Sequence, residues 1–153
     1  MEYNYKEAMK LSNQICFPLY AASRSVTSVY TPYLKPLGLT YTQYLVLLVL
    51  WEHDGISVSE ICEKLMLDSG TLSPLLKKLQ QAGYIEKERS ASDDRIVIVT
   101  LTEEGRALQE RAKDVPQKVA QCVELSPQKV HELYELLYEL LGNQKVGKAK
   151  NAE

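Results

Sequence analysis

A chain of 153 residues, 45% of them apolar, is large enough to bury a core without disulfides or metals and reads as one domain. Its composition suggests neither a fibrous repeat nor disorder. The net charge of −2 does not by itself point to nucleic acid, but basic groups can still gather on one face. Residues 44–51, the longest apolar run, are too short to cross a bilayer, and the first residues lack the basic-then-apolar order of a signal peptide. A cytoplasmic location with no membrane association is expected.

Residues 6–30 read as one long helix, with Ile15, Leu19, Ala22 and Val26 at helical spacing and Pro18 as a kink inside it. Pro32, Pro36 and Gly38 interrupt the chain. Thr40 then caps a short apolar helix over 42–51, and residues 52–55 form a turn. Ser57 and Glu60 stand three apart ahead of Ile61 and Leu65, a capping-box pattern that starts a short helix. After a turn at Met66-Leu67, Asp68-Ser69-Gly70 starts another. Its Leu72, Leu75, Leu76 and Leu79 fall at i, i+3, i+4 and i+7, and Gly83 closes it. Two capped helices joined by a tight turn make a helix-turn-helix.

Residues 84–89 and 96–101 are strand-like and flank a polar, turn-forming stretch at 90–95. A β-hairpin directly after a helix-turn-helix is a wing. Thr102 caps a further long helix carrying Leu108, Ala112, Val115 and Val119, bent at Pro116. Ser126-Pro127 opens the last helix, with Val130, Leu133, Leu137 and Leu140 as its seam, and a frayed tail is expected from Gly142. The predicted fold class is mainly α with a small β wing. A winged helix-turn-helix over 40–101 is flanked by dimerisation helices at 1–39 and 102–153, all in one integrated domain.

Opposite its leucines, the helix from Asp68 carries Ser69, Thr71, Ser73, Lys77, Lys78 and Gln81. Small hydroxyl residues and Gly70 at the helix start permit close approach to bases and phosphates, and the lysines suit phosphates. Pro74 is awkward unless the helix starts late; exposed, its ring could rest against a thymine methyl. A solvated face is the bland alternative, and the wing tips the balance. There Arg95 lies beside Asp93 and Asp94, an acidic pair able to orient a guanidinium toward a minor groove. The apolar faces of the terminal helices call for a second copy. A homodimer would set two recognition helices ~34–36 Å apart on double-stranded DNA bearing a pseudo-palindromic operator.

Cys16, Cys62 and Cys122 lie far apart with no paired metal spacing, and an odd count argues against a disulfide framework. Each thiol is either a small buried hydrophobe or a reactive group. His53 and His131 are isolated, so neither a metal nor a cofactor is expected.

Several strings resemble the MarR family and, within it, the organic hydroperoxide regulators. They are Cys16-Phe17-Pro18-Leu19-Tyr20-Ala21-Ala22-Ser23-Arg24, Leu39-Thr40-Tyr41-Thr42-Gln43-Tyr44, Leu50-Trp51-Glu52-His53, Leu67-Asp68-Ser69-Gly70-Thr71-Leu72-Ser73-Pro74-Leu75-Leu76-Lys77 and Ser92-Asp93-Asp94-Arg95. The resemblance implies a repressor that leaves its operator when one N-terminal cysteine is oxidised by an organic hydroperoxide. Cys16 matches that cysteine. Tyr30 and Tyr41 match the two tyrosines that hydrogen-bond its sulfur, and Cys122 lies where some members carry a resolving cysteine that bridges the dimer. Pro18 departs from the more usual alanine, and Cys62 matches no role.

The residues themselves place no His, Lys or Arg within a helical turn of Cys16, and mid-helix the sulfur would gain little from a helix dipole. Tyrosine hydroxyls are then a sensible source of thiolate stabilisation. Fourteen residues separate Cys16 from Tyr30, ~21 Å along a continuous helix, so the two cannot touch within one straight helix. Tyr30 must come from a second subunit or a sharply folded N-terminal segment. The second subunit is preferred because it couples sulfur chemistry to dimer geometry. Phe17, Leu19 and Tyr20 favour an apolar peroxide.

Three alternatives stay open. One is a MarR-type repressor released by a phenolic or other small apolar ligand, with Cys16 structural. Another is a thiol peroxidase, against which stand the lack of a Cys-x-x-Cys motif and of a thioredoxin-like alternation of strands and helices. The third is a winged helix that binds only protein.

Overall fold

The computed structural model describes residues 4–122 and 124–150. They fall into two compact units, one through Ala120 and one from Gln121 onward.

The first unit begins with α1 (Tyr5–Ala8), a 3-10 turn at Leu11–Asn13 and α2 (Cys16–Ser28). The single helix expected over 6–30 is therefore broken, and α2 starts at Cys16 rather than running through it. Pro18 supplies the reason. It stands in the first turn of α2, where N–H groups have no partner within the helix, so its missing N–H costs nothing there. The proline starts a helix instead of kinking one.

After α3 (Thr31–Leu34) and a 3-10 turn at Lys35–Leu37, Gly38 takes a φ of +72°. Helix α4 (Tyr41–Glu52) begins at a full capping box: the Gln43 N–H donates to Thr40 Oγ1 at 3.3 Å, and Thr40 N–H donates to Gln43 Oε1 at 2.8 Å. Ser57 and Glu60 form the same box at the head of α5 (Val58–Leu65). Met66, at φ +54°, turns the chain into α6 (Ser69–Gln81). That helix ends on Gly83 at φ +78°, where Gly83 N–H reaches Gln80 C=O and Tyr84 N–H reaches Leu79 C=O, both at 3.0 Å. These are the two bonds of a Schellman cap.

The hairpin is β2 (Ile85–Arg89) with β3 (Val97–Leu101), antiparallel with Lys87 opposite Val99. A two-residue strand not foreseen, β1 (Ile56–Ser57), pairs the other edge of β3 and gives the order β1-β3-β2. Helices α7 (Glu103–Ala112) and α8 (Val115–Ala120) follow. The long helix expected after Thr102 is thus two helices, and Pro116 opens the second instead of bending the first.

One core joins these elements. Val46, Leu47 and Leu50 of α4 meet Leu72 and Leu79 of α6, Val99 of β3 and Leu108 of α7, none of them exposed. Gly105 lets α7 press directly on the wing strand. A Cβ there would stand 2.0 Å from the Tyr84 carbonyl oxygen, which accepts the Thr102 N–H at 3.1 Å. Trp51 Nε1 donates to Gly105 C=O at 2.9 Å. Asp54 ties the same corner, accepting Leu101 N–H at 2.8 Å and the Arg106 guanidinium at 2.6 Å.

The second unit holds α9 (Pro127–Lys150). It continues through Gly142 to Lys150, where a frayed tail was expected. Among the described residues no helix is long and apolar enough to cross a membrane.

Candidate nucleic-acid interface and thiol site

The face of α6 opposite its leucines is set by the cap that starts it. Asp68 Oδ1 accepts Thr71 N–H and Oδ2 accepts the Thr71 hydroxyl, each at 2.8 Å. Those two bonds, the backbone one first, hold the Asp68 carboxyl below its ordinary pKa. Gly70 leaves room for the cap, since a Cβ there would stand 3.0 Å from Asp68 Oδ1. With Leu72 and Leu79 fully buried, Ser69, Gly70, Thr71, Ser73, Pro74, Lys77 and Lys78 are all exposed on the outer side. The helix does not start late, as Pro74 had suggested. Pro74 lies inside it, five residues past Ser69, and leaves the Gly70 carbonyl without its usual donor.

The wing loop over 90–96 is closed by Ser90 N–H to Ile96 C=O at 2.8 Å. Asp93 Oδ1 accepts both the backbone N–H of Arg95 at 2.9 Å and its Nε at 3.2 Å. The Arg95 side chain is 91% exposed, so this pair contributes orientation far more than stability. The acidic pair expected to orient Arg95 is only half right: Asp93 does so, whereas Asp94 gives its backbone carbonyl to Arg89 Nη1 at 3.2 Å. Recognition helix and wing also share a cleft of about 330 Å³, lined by Ser73 from α6 and Arg95 from the loop.

Cys16 is the first residue of α2 and exposed, with exposed Ile15, Phe17, Leu19 and Tyr20 around it. The expectation of a mid-helix sulfur is therefore corrected. Cys16 instead opens the helix, whose first turn has Phe17 N–H donating to Gln14 C=O at 3.2 Å and Pro18 with no N–H to offer. Tyr30 lies just beyond the other end of α2 and packs on Tyr41, the first residue of α4, with ring centroids 4.7 Å apart. The thirteen residues of α2 separate them from Cys16 of the same chain, ~20 Å of helix. Burial, and then the neighbouring Tyr30, raises the Tyr41 pKa, which keeps the phenol protonated and able to donate at neutral pH.

Beside Tyr41 runs an open groove of about 780 Å³ along α2, lined by Phe17, Tyr20, Ala21 and Arg24. Two groups at this end of the molecule escaped sequence reasoning. Tyr44 is buried 6.0 Å from the Tyr30 ring, and the Arg24 guanidinium lies 5.5 Å from the Tyr20 ring. Spacing from Tyr41 and Tyr20 (three and four residues along a helix) is the signal that could have found them. Cys62 packs partly buried against the core, the role of a small hydrophobe. Cys122 is exposed in the second unit. Among the described residues no cluster of His, Cys, Asp or Glu could hold a metal.

A helix-turn-helix with an exposed polar recognition face and an arginine-tipped wing defines a winged-helix DNA-binding protein. A family model described as transcriptional regulator SarA/Rot matches residues 28–112. The organic hydroperoxide resistance transcriptional regulator of Bacillus subtilis is 46% identical over 138 residues, covering 90% of this chain and 94% of its own. The chain is also similar to solved structures of AbfR, a protein of Staphylococcus epidermidis. Reduced AbfR bound to DNA has a TM-score of 0.77 at 39% identity, covering 93% of this chain and 97% of that one. Disulfide-formed AbfR has a TM-score of 0.62 at 42% identity, covering 90% and 96%. The chain belongs to the MarR family of transcriptional regulators, in the group of the organic hydroperoxide resistance regulators. Its relatives are regulators rather than enzymes, which sets the thiol peroxidase reading aside.

Proposed function

We propose that this chain is a cytoplasmic, homodimeric repressor that holds a pseudo-palindromic operator and releases it when an organic hydroperoxide oxidises Cys16. Residues 40–101 are the DNA-binding part, and residues 1–39 and 102–153 make the dimer. In the major groove stand Ser69, Gly70, Thr71, Ser73, Pro74, Lys77 and Lys78; Arg95, oriented by Asp93, enters the minor groove.

The observation that carries the sensor is the separation of Cys16 from Tyr30 and Tyr41 by the length of α2. The exposed sulfur meets a tyrosine pair only by docking on a second copy, whose Tyr30 and Tyr41 then donate to it. The Cys16 thiolate attacks the distal oxygen of the peroxide. The O–O bond breaks, sulfur gains oxygen as a sulfenic acid, and the alkoxide takes a proton and leaves as an alcohol. A second thiol, Cys122 of the partner or a small cellular thiol, then displaces water and forms a disulfide. Because sulfur and tyrosines come from different chains, the change strains the dimer and alters the spacing of its recognition helices. AbfR, solved reduced on DNA and also in a disulfide form, supports such a redox cycle.

The test is operator binding by wild type and Cys16→Ser with and without cumene hydroperoxide. Wild type should release DNA and recover it with a thiol reductant, while Cys16→Ser should stay bound. A Cys16→Ser protein that still lets go on treatment transfers the function to the second reading, a small apolar ligand seated in the groove beside Tyr41. A non-reducing gel decides the resolving step: a covalent dimer that vanishes in Cys122→Ser assigns it to Cys122.

A further inference from the structure

Strand β2 reads Ile85-Glu86-Lys87-Glu88-Arg89, two acids and two bases that cancel in any count of charge. Strand geometry undoes the cancellation. Side chains alternate between faces, so Lys87 shares a face with the buried Ile85, while exposed Glu86 and Glu88 take the other. Lys87 is half-buried on the wall of the cleft that Ser73 and Arg95 also line, beside Ser59 at the head of α5. No carboxylate lines that cleft, and among the described residues Lys87 has no ion pair.

From this placement we infer that Lys87 grips a phosphate of the DNA backbone where the strand crosses between the recognition helix and the wing. The inference rests on the proposed docking of α6 in a major groove and Arg95 in the neighbouring minor groove. Any duplex so held must carry the phosphates that divide those grooves across the cleft between them. A lysine suits that position. Its methylene stem packs on the cleft wall while its compact ammonium meets the phosphate as a point charge, which fixes register without reading sequence.

The experiment measures DNA affinity against salt for operator and scrambled duplexes. Losing one phosphate contact should reduce the slope of log K against log salt by about 1, and Lys87→Gln should weaken both duplexes alike. Lys87→Arg should restore the slope, which separates a phosphate grip from a folding defect. Glu88→Gln, which alters charge on the opposite face, should leave it unchanged. An unchanged slope in Lys87→Gln, or a loss confined to the operator, overturns the assignment to Lys87 alone, provided wild type binds DNA. Equal and opposite slope changes in Lys87→Gln and Glu88→Gln also overturn it, because net charge would then explain both. A wild-type chain without salt-dependent DNA binding overturns this inference and the DNA-docking reading together.

Discussion

Helices α6 and α9 carry apolar residues in the same pattern and reach opposite ends. In α6, Leu72, Leu76 and Leu79 are at most 2% exposed, closed over by α4, α5 and β2. In α9, Val130, Leu133 and Leu140 remain 42–46% exposed. Periodicity declares a helix and its apolar face; it does not say what will cover that face. For α6 the cover is local, made by elements within forty residues on either side. Among the described residues of their own units, neither the apolar face of α9 nor the exposed Phe17 and Leu19 of α2 has such a cover, which is why the proposed sensor and the proposed dimer are one argument.

The largest effect that tests this contrast is a pair of truncations. Leu72→Ala should cost about 2–5 kcal/mol in denaturant unfolding, because transfer free energy is lost and the surrounding core only partly collapses. Leu133→Ala should leave that core intact and weaken self-association, visible as concentration-dependent dissociation in analytical ultracentrifugation. A Leu133→Ala chain that stays dimeric at every concentration would break the comparison.

Glycines sharpen it at a smaller scale. Gly105→Ala forces a Cβ to 2.0 Å from a carbonyl oxygen already held by Thr102, so neither side can yield cheaply. A loss of about 1–3 kcal/mol is expected in thermal unfolding. On α9, Gly142 has nothing within 4 Å of its would-be Cβ. Gly142→Ala should therefore gain about 0.5–1 kcal/mol from helix propensity alone. Opposite signs for one substitution, in the two regions, are the expected result.

Much of the output end was legible in the sequence, because its signals are local. The caps at Thr40, Ser57, Asp68 and Thr102, the Gly83 stop and the hairpin all follow from residues within a few positions of one another. The misses are of other kinds. Prolines at 18 and 116 were read as bends within helices because their apolar periodicity runs on unbroken through them; the structure uses both as helix starts. Strand β1 is two residues long and exists only through its pairing with β3, forty residues away. Asp54 and Arg106 join across a span that no local pattern reports. At the thiol site, residue types and the length of α2 were readable, including the separation of Cys16 from Tyr30. The packing of Tyr30 on Tyr41 was not, because it depends on how α3 folds back between them.

The smallest effect concerns how α6 and α9 begin. Asp68, the cap of α6, has its carboxyl held below the ordinary value by bonds from the Thr71 N–H and then the Thr71 hydroxyl. A carboxyl whose folded pKa lies below its unfolded value of about 3.9 stabilises the fold above that pH, and the contribution drains away as pH falls through the folded value. The start of α9 is served by a hydroxyl, Ser126 Oγ accepting Lys129 N–H at 3.4 Å, which does not titrate. Acid should accordingly open the first turn of α6 and not, by this route, that of α9. Following the Thr71 and Lys129 amide signals by NMR from neutral to pH 2 tests the difference. The Thr71 signal should move with a midpoint below the ordinary aspartate range, and Asp68→Asn should abolish the movement while keeping a cap. A Thr71 midpoint at or above the ordinary value would mean the cap stabilises the uncharged acid as well as the carboxylate, and α6 would then start no differently from α9.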